Sequence, residues 1–184
     1  FDALINYAAA VGYGTDDGLF VWRPVPGAWT RVPTVVAGLE AHPRINDVVA
    51  LSEKSWLLAT ARGLLRSVDG GVTWRRTTTG LPGAVNALAV SPKDPRVVLA
   101  ATTLGFQRSA DGGETWTVSG GRLEGADPHR LLFLPTSDRV VFAATSRGLF
   151  RSTDAGAGWT RHAGGVPFTD ITGVGVPGAE RVPS

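Results

Sequence analysis

The sequence predicts an all-β fold built from one repeated unit of four short antiparallel strands. A run that opens with glycine and ends with tryptophan occurs three times, at residues 63–74, 105–116 and 148–159, so the period is 42 to 43 residues. The apolar segments and turn residues around each copy follow one another in the same order. No segment has a convincing helical period. A fixed period of this length indicates stacked supersecondary units.

The unit beginning at Val85 shows the predicted elements in order. An alternating segment predicts a first strand, and the turn residues Ser91-Pro92 separate it from a β-branched, apolar run that predicts a buried second strand. Gly105 closes the next turn, and Asp111-Gly112-Gly113 makes the last one. The four predicted strands are residues 85–90, 97–102, 106–109 and 115–118, and the equivalent second strands of the neighbouring units are residues 56–60 and 140–145.

Four strands in a meander form one blade of a β-propeller, as in WD40- and YVTN-like repeats. The sequence therefore predicts a single propeller domain over residues 1–184 with about four blades, which either closes with a seam or forms an arc of a larger ring. Counting back from Gly18 places Phe1 at the phase of Leu88, inside a first strand. The approximate blades are residues 1–44, 45–84, 85–128 and 129–169, with 170–184 supplying the first strand, at 171–176, of a further or seam-closing blade.

Four tryptophans recur at one position of the repeat. Because a large aromatic side chain at a fixed place in every blade suits packing, we expect them to anchor the core and not to stack on a ligand. These residues are Trp29, Trp74, Trp116 and Trp159.

The pattern Ser-x-Asp-x-Gly-x-Thr-Trp at 67–74 and 109–116 resembles the Asp-box, also called the BNR repeat. The third copy has Gly158 in place of Thr, and Pro24 stands at the Asp position of the first unit, so that box is lost. Ser and Asp side chains can satisfy turn amides, and Gly supplies left-handed backbone. The resemblance implies a structural role at the rim, away from the functional face, for Ser67, Asp69, Gly71, Trp74, Ser109, Asp111, Gly113, Trp116, Ser152, Asp154, Gly156 and Trp159.

The longer run Gly-Leu-x-Arg-Ser-x-Asp-Gly-Gly-x-Thr-Trp is similar to that of photosystem II assembly and stability factors. That resemblance implies a non-catalytic, protein-binding propeller: an accessory, scaffold or assembly subunit of a larger membrane or photosynthetic complex. It also implies an extracytoplasmic location (periplasmic, luminal or secreted), with membrane association only through the protein partners.

The alternative is a glycan-active or glycan-binding propeller similar to sialidases, with part of its site in blades outside this chain. Sialidases use three Arg, an Asp acid/base and a Tyr nucleophile backed by Glu. The tyrosines here are Tyr7 and Tyr13, of which Tyr13 lies in a predicted strand, and no Arg-Ile-Pro signature occurs. We therefore predict no catalytic residue and no enzyme activity.

Composition excludes several other classes. Without cysteine there is no thiolate zinc site, and His42, His129 and His162 share no metal-ligand spacing, so neither a metal nor a cofactor is predicted. The net charge of +2 comes from 16 Arg and 2 Lys spread among 16 acids, which predicts a mixed solvated surface and no nucleic-acid binding. The apolar runs are too short for a transmembrane segment.

Two sets of residues are candidates for partner binding. Propellers usually bind at the face formed by second-to-third strand turns and interblade links, which here carries charged residues. The second set consists of one arginine per blade, directly before the box serine. These arginines either pack on the neighbouring blade and pair with an acid or carbonyl, or bind an acidic segment of a partner. The first set is Asp16, Asp17, Arg62, His129, Arg130 and Arg147; the second is Arg66, Arg108 and Arg151.

Overall fold

The computed structural model describes residues 3–7, 10–15, 18–23, 27–32, 44–77, 81, 83–120 and 126–162. In these residues the regular elements are all β-strands, arranged as four antiparallel sheets of four strands each. Every sheet is a meander in which consecutive strands pair. The predicted all-β class and the four-stranded unit are confirmed.

The strand bounds follow the sequence repeat. Sheet 1 contains β1 (Ala3–Tyr7), β2 (Ala10–Thr15), β3 (Gly18–Arg23) and β4 (Ala28–Val32). Sheet 2 contains β5 (Ile45–Ala50), β6 (Trp56–Thr60), β7 (Gly63–Ser67) and β8 (Arg75–Arg76). Sheet 3 contains β9 (Val85–Val90), β10 (Val98–Thr102), β11 (Gly105–Ser109) and β12 (Thr117–Val118). Sheet 4 contains β13 (Pro128–Phe133), β14 (Val141–Thr145), β15 (Gly148–Ser152) and β16 (Thr160–Arg161).

Burial explains the different composition of the four strand types. Every residue of β6 and β10 is buried, because neighbouring sheets cover both faces, and this is why these strands read as continuous apolar runs. The fourth strands β8, β12 and β16 are two residues long and exposed. The predicted fourth strand at 115–118 is therefore too long at its start, since Thr115 and Trp116 belong to the preceding turn.

The sheets stack in chain order, with apolar clusters between consecutive members. Their first strands β1, β5, β9 and β13 lie next to one another in that order, and the four described sheets do not close into a ring. Trp74 and Trp116 are 7% and 5% exposed in two of the clusters. Trp159 packs in the third, where its ring stacks on Phe106 with centroids 4.7 Å apart.

Two sequence expectations about sheet 1 are wrong. Trp29 is 53% exposed and does not anchor a core, because no described sheet precedes sheet 1 on the side where the equivalent tryptophans pack. The count back to the first strand is also wrong. Leu4 pairs with Tyr13 as Leu88 pairs with Ala100, so Leu4 holds the phase that the count assigned to Phe1, which lies outside the described residues. The reason is a shorter connection between the first two strands, two residues in sheet 1 against seven in sheet 3. The predicted strand at 171–176 lies outside the described residues.

In the described part of the chain, no helix is long and apolar enough to cross a membrane.

Candidate partner-binding face

Backbone hydrogen bonds bring the second-to-third strand turns beside the links between sheets. In three sheets the amide of the first turn residue donates to a link carbonyl: Ala61 to Arg44, Thr103 to Ala84 and Ser146 to Asp127, at 3.4, 3.1 and 3.0 Å. We call the surface formed by turns 61–62, 103–104 and 146–147 with link residues 44, 84 and 127 the turn face. It is one end of the stacked sheets, and it is the end where the sequence predicts a binding site.

A buried threonine builds each turn of this face. Thr60 is 1% exposed; its hydroxyl donates to Gly63 O at 2.7 Å and accepts from Arg62 N at 3.1 Å. Gly63 has φ +110°, where a side chain would be strained. Thr102 with Gly105 and Thr145 with Gly148 repeat this arrangement. These threonines were not predicted from the sequence, although Thr-x-x-Gly recurs in all four units.

The second residue of each described turn projects outward. Arg62, Leu104 and Arg147 share this position, and all three are exposed, Leu104 by 55%. Neither arginine forms an ion pair with another described residue. Asp127 is exposed at the adjoining link. The turn face thus presents a row of guanidinium, isobutyl and guanidinium groups, one per sheet.

The remaining first-set candidates lie elsewhere. Asp16 and Asp17 fall outside the described residues, although the flanking Thr15 and Gly18 pair as the equivalent residues do in the other sheets. His129 and Arg130 are half-buried in the first strand β13 at a β-bulge, and both have interaction partners. They therefore lie on the inner strands and not at the turn tips.

Polar side chains at the bulges of the first strands join neighbouring sheets. Asn46 Nδ2 donates to Val85 O at 2.8 Å, and Asn86 Nδ2 donates to Pro128 O at 3.4 Å. Asp47 accepts from Leu88 N at 2.8 Å. These bonds satisfy backbone groups at the inner edge of the next first strand, which has no other strand to pair with. Sequence reasoning missed them; the signal was that Asn46 and Asn86 occupy the same repeat position.

The box turns lie at the opposite end of the strands, beside the first-to-second strand turns. Gly70 N donates to Lys54 O, Gly112 N to Arg96 O and Ala155 N to Arg139 O, at 2.9, 2.8 and 2.8 Å. We call this end the box face. The box residues thus lie at the opposite end of the strands from the turn face.

One box shows how the motif closes its turn. Ser67 Oγ donates to Asp69 Oδ1 at 2.7 Å and accepts from Gly71 N at 2.8 Å. Asp69 accepts from the amide of Thr73 at 2.9 Å and from its hydroxyl at 2.6 Å. Trp74 Nε1 donates to Gly71 O at 3.1 Å. Residues 109–116 repeat the same bonds.

The hydrogen bonds of the third box differ from this pattern at the position where its sequence differs, Gly158 in place of threonine. Gly158 N still donates to Asp154 Oδ1 at 2.8 Å, but the hydroxyl bond is lost with the threonine. Trp159 Nε1 donates to Ser119 Oγ of the preceding sheet at 3.0 Å, and Ser119 Oγ donates to Gly156 O. A serine hydroxyl thus bridges the indole and the turn carbonyl that bond directly in the other boxes.

The arginines before the box serines contact the next sheet. Arg66 pairs with Glu114, which also pairs with Arg75 at 2.6 Å. Arg108 Nε donates to Ala155 O at 3.1 Å. Arg151 is exposed. The contacts of Arg66 and Arg108 favour the packing alternative of the two that the sequence left open, because both groups are engaged between sheets.

The box carboxylates should make the thermal stability of the fold decrease at low pH. Hydrogen bonds from Thr73 and Ser67 lower the pKa of exposed Asp69 to about 2, below the ordinary 3.8. A group whose pKa is lower in the folded state stabilises the fold above pH 4, and this contribution is lost as pH falls through 2. We expect Asp69→Asn to melt at a lower temperature than the parent at pH 5, with the gap shrinking between pH 4 and pH 2 in thermal unfolding by circular dichroism.

Asp47 provides a control, because its contribution to the pH dependence of stability has the opposite sign. Burial raises its pKa above 3.8, against the lowering effect of the hydrogen bonds from Leu88 and Val48. Its ionisation therefore opposes folding, and the melting temperature of Asp47→Asn should rise relative to the parent as pH increases from 3. A gap for Asp69→Asn that stays constant from pH 5 to pH 2 would contradict the assigned box hydrogen bonds.

No protein-family model matches the sequence, and no curated protein matches it. Solved structures do match. The GH74 xyloglucanase from Xanthomonas campestris aligns with a TM-score of 0.69 at 21% identity, over 85% of this chain and 29% of that one. The extracellular domain of a putative hybrid two-component system from B. thetaiotaomicron gives 0.73 at 13% identity, over 92% and 24%. YCF48 bound to a D1 peptide gives 0.53 at 15% identity, over 89% and 66%.

At these identities the likeness shows the fold alone, and the fold is a β-propeller. The chain spans about a quarter of the length of the GH74 and two-component structures and two thirds of YCF48. Its four unclosed sheets correspond to part of a propeller.

Proposed function

We propose that this chain is a non-catalytic, protein-binding part of a β-propeller that serves as an accessory, scaffold or assembly subunit of a larger complex. The observation that carries the proposal is the row of Arg62, Leu104 and Arg147 on the turn face, at one position in three consecutive sheets. Arginine offers planar, multidentate hydrogen bonding and is enriched at protein interfaces, and an exposed leucine between two arginines adds apolar contact.

The distribution of carboxylates supports a binding role over glycan hydrolysis. Most glycoside hydrolases need two carboxyl groups facing each other across the scissile bond. Among the described residues of the turn face, Asp127 is the one exposed carboxylate. The box aspartates bond to their own turns at the opposite end, and no described group of His, Cys, Asp or Glu is arranged to hold a metal ion.

The similar structures represent both functional classes. YCF48 is bound to a D1 peptide, whereas the Xanthomonas protein is a xyloglucanase. The resemblance of the box run to photosystem II assembly and stability factors supports a partner within a membrane or photosynthetic complex. The extracellular domain among the matches supports an extracytoplasmic location.

Charge reversal on the turn face tests the proposal. The immobilised chain would be exposed to gently solubilised membranes of its source, and bound proteins would be measured by quantitative mass spectrometry. We expect one protein at stoichiometric yield, and at least a tenfold loss of it with Arg62→Glu/Arg147→Glu. Arginine is enriched among the few interface residues that dominate binding, and a combined loss of about 1.4 kcal/mol from the two reversals is already tenfold.

Arg139→Glu is the matched control, since Arg139 is also exposed but lies on the box face. It should retain the partner. Equal loss in this control would contradict the location of the site. Hydrolysis of xyloglucan oligosaccharides by the parent chain, abolished by Asp127→Asn, would replace the proposal with the glycan-active alternative.

A further inference from the structure

The third and fourth strands of the four sheets carry charge of one sign. They contain eight of the chain's 16 arginines and no aspartate or glutamate, whereas the first and second strands contain one acid, Asp47, and one arginine, Arg130. Because the whole chain has 18 cationic and 16 acidic residues, composition alone does not produce this separation. The eight arginines are Arg23, Arg31, Arg66, Arg75, Arg76, Arg108, Arg151 and Arg161.

Four equivalent residues form a row along the outer edge of the sheets. Each lies in a fourth strand, opposite the third residue of the third strand, and each is exposed. Arg76 and Arg161 form no ion pair with another described residue. Three of the four sheets thus hold a guanidinium group at one place. We call this row the rim, and it consists of Arg31, Arg76, Val118 and Arg161.

Protection of the sheet edge does not explain the sign of this charge. A charged side chain on an edge strand deters pairing with another chain, but a carboxylate serves this purpose as well as a guanidinium group. The box aspartates lie beyond the strand ends, where they bond to their own turns. An edge that holds arginines and lacks acids suits an anionic ligand, because the arginine fork binds a carboxylate through two parallel hydrogen bonds.

The shape of the rim favours an extended, flexible ligand. Neighbouring described sheets pack strand on strand through their first and second strands, so the fourth strands diverge on the convex side of the stack. A flat anionic membrane would touch such an edge at few points. A linear polymer can follow the edge from one sheet to the next.

Two other extended anions fit the rim less well. Single-stranded nucleic acid is bound through aromatic side chains on which its bases stack. In the described third and fourth strands of sheets 2 to 4, no aromatic side chain is exposed. An acidic peptide that added a strand to the sheet edge would need a partner strand of several residues, but β8, β12 and β16 are two residues long.

We infer that the rim binds an acidic polysaccharide, whose repeated carboxylates pair with the arginines of successive sheets. The site is separate from the turn face, because the rim residues lie within the fourth strands and not in the second-to-third strand turns. The inference therefore does not depend on the protein partner proposed for the turn face.

Binding of polygalacturonate, a linear polymer with one carboxylate on each sugar, to the immobilised full chain tests the inference. Biolayer interferometry should show an affinity that falls as NaCl is raised from 50 to 200 mM. Arg76→Glu/Arg161→Glu should weaken binding by about tenfold or more, because each reversal replaces attraction with repulsion. Both side chains are exposed, so this variant should fold, which circular dichroism would verify.

Lys93→Glu/Arg139→Glu is the matched control. It changes the net charge by the same amount at two exposed residues of the box face, and it should bind polygalacturonate like the parent. Arg62→Glu/Arg147→Glu, on the turn face, should also bind like the parent, which separates this site from the proposed protein-binding one.

Four results would overturn the inference. They are no binding of polygalacturonate at 50 mM NaCl, binding that survives the rim variant, an equal loss in either of the other two variants, and single-stranded DNA that binds as tightly as polygalacturonate. The third result would mean that binding follows net charge or belongs to the turn face. The fourth would mean that the rim does not select a polysaccharide.

Discussion

Replacing Trp116 with alanine is expected to lower the free energy of unfolding by about 3 to 5 kcal/mol, the usual cost of emptying a buried aromatic site. The indole is 5% exposed and packs in the cluster between sheets 2 and 3. Its Nε1 also donates to Gly113 O at 3.2 Å, which ties the box turn to the sheet. Urea unfolding followed by circular dichroism would measure the loss.

Trp29→Ala is the matched control, because Trp29 has the same repeat position but is 53% exposed. Its cost in the same urea unfolding measurement should stay below about 1 kcal/mol. Equal losses for the two variants would contradict the assignment of Trp116, and not Trp29, to the core.

The second large effect is expected from Gly113→Ala, at about 2 to 4 kcal/mol. Gly113 has φ +85°, which costs an alanine about 1 kcal/mol or more. An added Cβ would also lie 2.9 Å from Leu57 Cδ1 in the preceding sheet, and overpacking of this kind costs about 1 to 3 kcal/mol. The measurement is again urea unfolding.

Gly112→Ala separates the two contributions. Gly112 has a similar φ of +74° in the same turn, but its added Cβ would meet Leu51 Cδ1 at 3.5 Å, an ordinary contact. Gly112→Ala should therefore cost only the backbone strain, about 1 kcal/mol. If both variants lose the same stability, the close packing of the box turn on the preceding sheet is not what limits residue 113.

The candidate site was only partly readable from the sequence. The turns carrying Arg62 and Arg147 could be placed on one face, because their position in the repeat is regular and Gly63 and Gly148 mark the turn ends. The role of Arg66 and Arg108 could not be decided, because the carboxylate and carbonyl they contact lie 48 and 47 residues away in the chain. The importance of Asp47 was also hidden, since its partner is a backbone amide 41 residues away.

The sequence by itself determined the repeated four-stranded sheet, because strand period, turn residues and the box hydrogen bonds are all local and recur every 42 to 43 residues. Even the altered hydrogen bonding of the third box begins with a visible change, Gly158 in place of threonine. Only the tertiary structure decided which equivalent residues are core. Trp29 and Trp116 hold the same position in the repeat, but Trp29 is exposed and Trp116 is buried, because among the described residues a preceding sheet packs against Trp116 and none packs against Trp29.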